Sequence, residues 1–208
     1  MADDTWEPRW RRRGYIPHFD GGSIPQSITF RLADSLPAWR LQALDEELAR
    51  LPKDTISRER RKHLDAYLDQ GVGSCRLSDP RIALLVQNAL LKFDGERYHL
   101  HAWVIMPNHV HALLTPIHPV LVGRIVHTWK SYTATAANRR LQLTGSFWQV
   151  DYFDRAIRDE RHFQAARAYI EANPTNAGMC SRDEEWPWGS AAHGAATAAM
   201  AEGTVSTE

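Results

Sequence analysis

Cysteine is nearly absent: Cys75 and Cys180 are the two in 208 residues. Two distant thiols make neither a zinc ribbon nor a dense disulfide framework, and they fit reduced thiols in a cytosolic protein. No apolar run reaches the ~18 residues a membrane span needs. The opening MADDTWEPRWRRRG turns from acidic to basic without the apolar stretch of a signal peptide. The expectation is a soluble, cytoplasmic protein with no membrane partner. Charge of one sign is lacking too, since 25 basic residues balance 25 acidic ones. That excludes a uniformly basic nucleic-acid coat, though not a local basic face. Lysine is scarce, at positions 53, 62, 92 and 130, so arginine carries most of the positive charge. Arginine suits bidentate phosphate contacts and stacking, and a GC-rich genome gives the same bias. There is no internal repeat and no glycine-rich phosphate loop.

The 43% hydrophobic content is that of one globular domain with short extensions. Residues 1–26 read as an irregular basic and aromatic arm, in which Trp10, Arg11, Arg12 and Arg13 could follow a nucleic-acid backbone. A solvated arm reads equally well. The alternating run 27–33 (SITFRLA) predicts a strand. Helical spacing of leucines follows from Pro37, with Pro52 breaking it into two helices. Asp79-Pro80 opens a third helix whose Ile82, Leu85, Val86 and Ala89 share one face. Residues 98–106 and 109–115 predict a hairpin. A long helix over 120–143 carries Leu121, Ile125, Trp129 and Tyr132 on one stripe. An extended stretch follows over 147–157, then a helix over 159–172 capped by Asp159 and ended by Asn173-Pro174. The tail 190–208 reads as disordered. This order predicts an α+β fold: a ferredoxin-like split β-α-β antiparallel sheet with helices on it, a C-terminal helix, and an inserted helical segment at about 38–94. The main domain would run over 27–189.

In the second hairpin strand, NHVHALL, alternation puts His109 and His111 on one face and Val110, Ala112 and Leu114 on the other. Two same-face imidazoles can hold one divalent ion, or be ordinary sheet histidines. His99 and His101 alternate in the same way one strand earlier, and spacing alone does not separate the pairs. Tyr169 and Asn173, four apart, share a helix face. A tyrosine at that spacing is otherwise a core residue. Eight basic residues between Arg124 and Arg167 face four acids (Asp151, Asp154, Asp159, Glu160), so the neutral total hides a basic middle. Lys130, Arg139 and Arg140 are candidate phosphate contacts or a solvated helix face. Arg155 and Arg158 can bind a phosphate or pair with Asp154 and Asp159. Most of the eight tryptophans are expected to be packing.

The segments MPNHVHALLTP, WKSYTATAANRRL, FWQVDYFDRAIRDERHFQAARAYIEANPTNAGM and EEWPWGSAA, in that order, resemble the REP-associated tyrosine transposases. These form a group of the HUH single-tyrosine, IS200-like transposases. The resemblance spans about residues 96–192, and PHFDGGSIPQSITFRLADSLP resembles the group's start. It implies His109 and His111 as metal ligands, Tyr169 as nucleophile and Asn173 as the polar residue completing the metal site. Relatives outside the group carry Gln at that last position. The ion implied is Mg²⁺ or Mn²⁺. The substrate implied is single-stranded DNA with a palindromic hairpin, cleaved and rejoined through a 5′-phosphotyrosine. The protein would be nucleoid-associated when bound to DNA, as a monomer or a homodimer. Two other readings stand beside it. One is a domesticated relative that grips DNA hairpins without cutting. The other is a small-molecule metallohydrolase using His99 and His101 as well, in which Tyr169 would be dispensable. The resemblance supplies no role for residues 38–94.

Overall fold

The computed structural model describes residues 9–12 and 17–195. Six strands and six α-helices are defined there: β1 (Arg9–Arg12), β2 (Pro17–Asp20), β3 (Gln26–Arg31), α1 (Ala38–Leu48), α2 (Lys53–Leu68), α3 (Pro80–Leu91), β4 (Tyr98–Ile105), β5 (His109–Pro116), α4 (Val122–Leu141), β6 (Phe153–Ala156), α5 (Glu160–Glu171) and α6 (Asn173–Asn176). Strands β3 to β6 form one antiparallel sheet in the order β4-β5-β3-β6. Numbered within the sheet alone, that is 2-3-1-4, the split β-α-β order expected from the sequence.

One face of the sheet is mainly apolar. Ile28, Phe30 and Leu32 of the β3 segment and Val110, Ala112 and Leu114 of β5 pack under α3 and α4. Asp79 caps α3 by accepting from Arg81 N, and Pro80 fits its first turn, which needs no backbone donor. Ile82, Leu85, Val86 and Ala89 are buried, as the helical period predicts. In α4 the buried stripe runs through Val122, Ile125, Val126, Trp129, Thr133 and Ala137. Tyr132 is instead 57% exposed, because the face turns toward Thr133, whose hydroxyl accepts from Trp148 Nε1. The opposite face is smaller. Ala102, Val104 and Leu113 meet Ile170 and Phe163 of α5 there, and the polar residues of that face are left to build a site.

The helical segment divides in two. Helix α3 is the regular crossover between β3 and β4, so the insertion is confined to α1 and α2. These break at Pro52 and pack around Leu36, Leu44, Leu48 and Leu64. After α2 the chain turns through Gly73 (φ +96°), where a Cβ would meet the Asp34 carbonyl oxygen at 2.7 Å.

Two expectations are corrected at the ends. Residues 9–20 are not irregular throughout: β1 and β2 pair, with Trp10 opposite Phe19. The carboxylate of Asp154 fastens this hairpin to β6 by accepting from Phe19 N (2.7 Å) and bonding His18 Nδ1 (2.7 Å). The tail forms a helical turn over 190–195, where Ser190 Oγ accepts from Trp103 N. Just before it, Trp188 O accepts from Ile105 N (2.8 Å), so this segment covers the free edge of β4. Residues 196–208 lie outside the described residues. No described helix is long and apolar enough to cross a membrane.

Candidate active site

Strand alternation delivers His109 and His111 to the α5 face, both buried. Their Nε2 atoms stand 3.0 Å apart, and the rings meet edge to face at 4.7 Å. The Nδ1 atoms are taken on the far sides. Asn108 Nδ2 donates to Leu68 O (3.1 Å) and Val72 O (2.9 Å), which identifies Asn108 Oδ1 as the acceptor. His109 Nδ1–H therefore donates to it, at 2.7 Å, leaving His109 Nε2 with a bare lone pair. His111 Nδ1 lies 2.8 Å from Thr29 Oγ1 on β3, a hydroxyl able to donate or accept. With Thr29 accepting, His111 Nε2 is bare as well, and both lone pairs aim at one point. Such orientation of the far nitrogen is what a metal-binding histidine requires.

Two buried oxygens on the elements that follow α5 and α2 lack a hydrogen-bond partner: Asn173 Oδ1 and Asp69 Oδ1. Asn173 starts α6, directly after α5, and is 1% exposed. Asp69 caps the C-terminus of α2, with Oδ1 3.7 Å from His109 Nε2. Among the described residues no group of three His, Cys, Asp or Glu side chains closes on one point. The donor set is two imidazoles and orphaned oxygens, and its chemistry fits a divalent ion such as Mn²⁺.

Tyr169, 41% exposed on α5, is not core. Its ring packs edge-on to His111 at a centroid distance of 5.8 Å. The two line a cavity of about 450 Å³. The sheet contributes Thr29 and Arg155, α5 contributes His162, and α2 contributes Lys62, Asp65 and Asp69.

Burial sets the electrostatics. It pushes the His111 imidazole down to about 4, and it holds His109, beside His111, well below the ordinary histidine range. It pushes Asp69 up to about 6. The sign of the pH dependence follows. Unfolded histidines titrate near ~6.5, so between pH ~6.5 and ~4 the unfolded chain binds protons that the folded one refuses. Stability of the metal-free protein is full above that window and falls as pH drops through it. His111 alone accounts for about 3 kcal/mol, at about 1.4 kcal/mol per pKa unit. Asp69 opposes this between pH ~3.8 and ~6, and two imidazoles outweigh one carboxyl. Thermal melts in chelator are expected to show the melting temperature falling from pH 7 to 4.5, with a shallower slope in His111→Gln. An equal slope in the variant would contradict this origin.

Other candidate positions are dispersed. His101 Nε2 bonds Thr115 Oγ1 (2.7 Å), and its ring lies against Phe163. Thr115 is four residues along β5 from His111, about 13 Å at strand rise, so no four-histidine centre forms. Lys130 corrects the reading of a free phosphate contact. Its ammonium donates to Gln149 O (2.7 Å), Val150 O (2.6 Å) and Asp151 O (3.5 Å), and burial lowers it to about 8. Arg140 ties α4 to Arg81 O, and exposed Arg139 is its neighbour on α4, across the sheet from α5. Arg155 is exposed and lines the cavity, while Arg158 is exposed just before α5. Asp159 is the α5 cap, bonding His162 N, and Asp154 holds β2. Arg13 and the side chains of Trp10, Arg11 and Arg12 lie outside the described residues. Trp103, Trp129 and Trp148 are core as expected, whereas Trp39 is 65% exposed. The residues missed from sequence are Asn108 and Asp69. The first is visible there only as a turn residue, and the second has no local pattern.

A sequence model of the family described as "Transposase IS200 like" matches residues 82–173, from α3 to Asn173. The REP-associated tyrosine transposase of Escherichia coli strain K12 is 24% identical over 109 residues, 50% of this chain. The match spans 61% of that relative's length. A solved structure of a REP-associated tyrosine transposase bound to a REP hairpin has the same fold. Its TM-score is 0.53 at 19% identity, covering 86% of this chain and 80% of that one.

Proposed function

We propose, from the match of residues 82–173 to the IS200-like transposase family, that this chain cleaves and rejoins single-stranded DNA at palindromic, REP-type hairpins through Tyr169. One observation carries the reading. Tyr169 stands edge-on over a buried histidine pair, in a solvent-open cavity of the size that takes a small-molecule-scale group.

A phenol ionises near pH ~10, so forming the phenolate at pH 7 costs about 4 kcal/mol. His109, His111 and Asn173 would hold Mg²⁺ or Mn²⁺, which supplies Lewis-acid polarisation of the scissile phosphate when bound. The exposed Tyr169 reaches a phosphate without unfolding α5, and Arg155 adds positive charge on the cavity wall. Tyr169 Oη forms a bond to phosphorus as the bond from phosphorus to the 3′ oxygen breaks. The phenol proton passes to solvent, and the departing 3′ oxygen takes one up as a hydroxyl. The DNA 5′ end stays on the tyrosine as a phosphodiester. Attack by another 3′-hydroxyl reverses the step, so no nucleotide cofactor is consumed. One tyrosine makes one link at a time, and paired cuts need two successive steps or a homodimer.

The test incubates the protein with end-labelled single-stranded palindromic DNA and Mn²⁺ and looks for a denaturant-resistant protein–DNA adduct on a gel. The adduct is expected. Its absence across a panel of palindromes, with the hairpin still shifted in a native gel, would replace this reading with hairpin binding alone.

A further inference from the structure

Helix α2 of the insertion lines the cavity that Tyr169 also lines, and the residue that caps it, Asp69, approaches His109. Asp69 Oδ1 is buried, has no hydrogen-bond partner, and lies 3.7 Å from His109 Nε2. That nitrogen offers it no proton, because His109 Nδ1–H is committed to Asn108. Two lone pairs therefore face one another in a desolvated place, an arrangement that is unfavourable unless a cation lies between them. The approach is fixed, not incidental. Asn108 Nδ2 holds the carbonyls of Leu68 and Val72, on either side of Asp69, while its Oδ1 holds His109. One amide thus orients the imidazole and the turn that carries the carboxylate.

We propose that Asp69 is an anionic ligand, supplied by the insertion, of the same divalent ion that His109 and His111 hold; this rests on the metal reading above. Two imidazoles and an amide bring no negative charge. A carboxylate brings one, together with the hard oxygen that Mg²⁺ and Mn²⁺ prefer. Donor atoms sharing an ion at about 2.1 Å stand roughly 3.0–3.5 Å apart. The imidazole pair meets that distance. Asp69 Oδ1, 3.7 Å from His109 Nε2, stands beyond it, and the three side chains do not yet close on one point, so the α2 turn must draw the carboxylate in when the ion binds.

Full-length, chelator-stripped, DNA-free protein is titrated with Mn²⁺ alone, read by the electron paramagnetic resonance signal of free Mn²⁺, and with Zn²⁺ by calorimetry. Asp69→Asn and Asp69→Ala are expected to weaken Mn²⁺ binding 10- to 100-fold and Zn²⁺ binding less, because the lost ligand is hard. Asp45→Asn, on the exposed side of α1, is expected to leave both unchanged. Circular dichroism melts confirm folding, and the isosteric Asn variant keeps the test open if Ala does not fold. Unchanged Mn²⁺ affinity at position 69, or equal losses for the two ions, overturns the assignment, provided that His109→Ala abolishes Mn²⁺ binding. Mn²⁺ binding that survives His109→Ala, or none by the wild type, overturns the metal reading itself.

Discussion

Tyr169→Phe is expected to abolish the covalent protein–DNA adduct completely while leaving hairpin binding within about twofold. The substitution removes one oxygen and keeps the ring, so the edge-on contact with His111 survives. The side chain is 41% exposed, so stability should change by less than about 1 kcal/mol. Mn²⁺ affinity should also hold, since the proposed ligands are untouched. The two imidazoles of the cavity are poor substitutes for a lost phenol. His111 is buried beneath it with Nδ1 bonded to Thr29, and His162 Nδ1 accepts from Arg158 N. Denaturing gels of wild type and variant with the same labelled hairpin check the outcome. Adduct formation by Tyr169→Phe would place the nucleophile elsewhere. Joint loss of adduct and hairpin binding would make Tyr169 a DNA contact rather than the attacking group. A metallohydrolase of small molecules predicts the reverse dependence, on His99 and His101, and His99 is an exposed residue of β4.

The legible parts of this fold are those written in a local period. Alternation in 98–115 gives the hairpin and puts His109 and His111 on one face. The spacing of Ile82, Leu85, Val86 and Ala89 gives the buried face of α3. Asp159 and Asp79 announce helix starts because each accepts from a backbone donor within its own first turn. The element order then suffices for the sheet order, since a split β-α-β chain has few ways to pair. Period alone fails where tertiary contacts choose between similar faces. Tyr132 lies three residues after Trp129 and could share its stripe, but Trp148 recruits Thr133 instead. Lys130 resembles a surface cation until the 149–151 segment, some twenty residues away, supplies three carbonyls to it. The β1–β2 hairpin is hidden by short strands, and its anchor, Asp154, is 134 residues beyond β2 in the chain. Asp69 is the extreme case. Its neighbours in sequence are those of an ordinary helix end, and its meaning comes from His109, forty residues on.

Asn108 is where these long-range contacts converge, and its removal is the second large effect expected. Asn108→Ala deletes three hydrogen bonds at a buried position. It leaves Val72 O and His109 Nδ1–H to find new partners, while Leu68 O keeps only the bond from Gly71 N. Unsatisfied buried groups cost roughly 1–3 kcal/mol each, less where water enters, so a loss of about 3 kcal/mol is expected overall. For a domain of this size that lowers the melting temperature by roughly 6–12 °C. The metal site should weaken as well, by roughly 10- to 100-fold in Mn²⁺ affinity, because the imidazole loses the bond that fixes its orientation. Asn108→Asp separates the two contributions. Its carboxylate still accepts from His109 Nδ1–H, but it cannot donate to Leu68 O and Val72 O and repels both. The Asp variant should therefore melt as low as the Ala variant, or lower. It should keep His109 oriented, and lose Mn²⁺ affinity only to the extent that the α2 turn drifts from the pair. Melting curves and Mn²⁺ titrations of both variants decide it. If Asn108→Asp binds Mn²⁺ like the wild type although the α2 turn is released, the ion depends on the histidines alone. If it fails as badly as Asn108→Ala, the position of the α2 turn matters as much as the orientation of the imidazole.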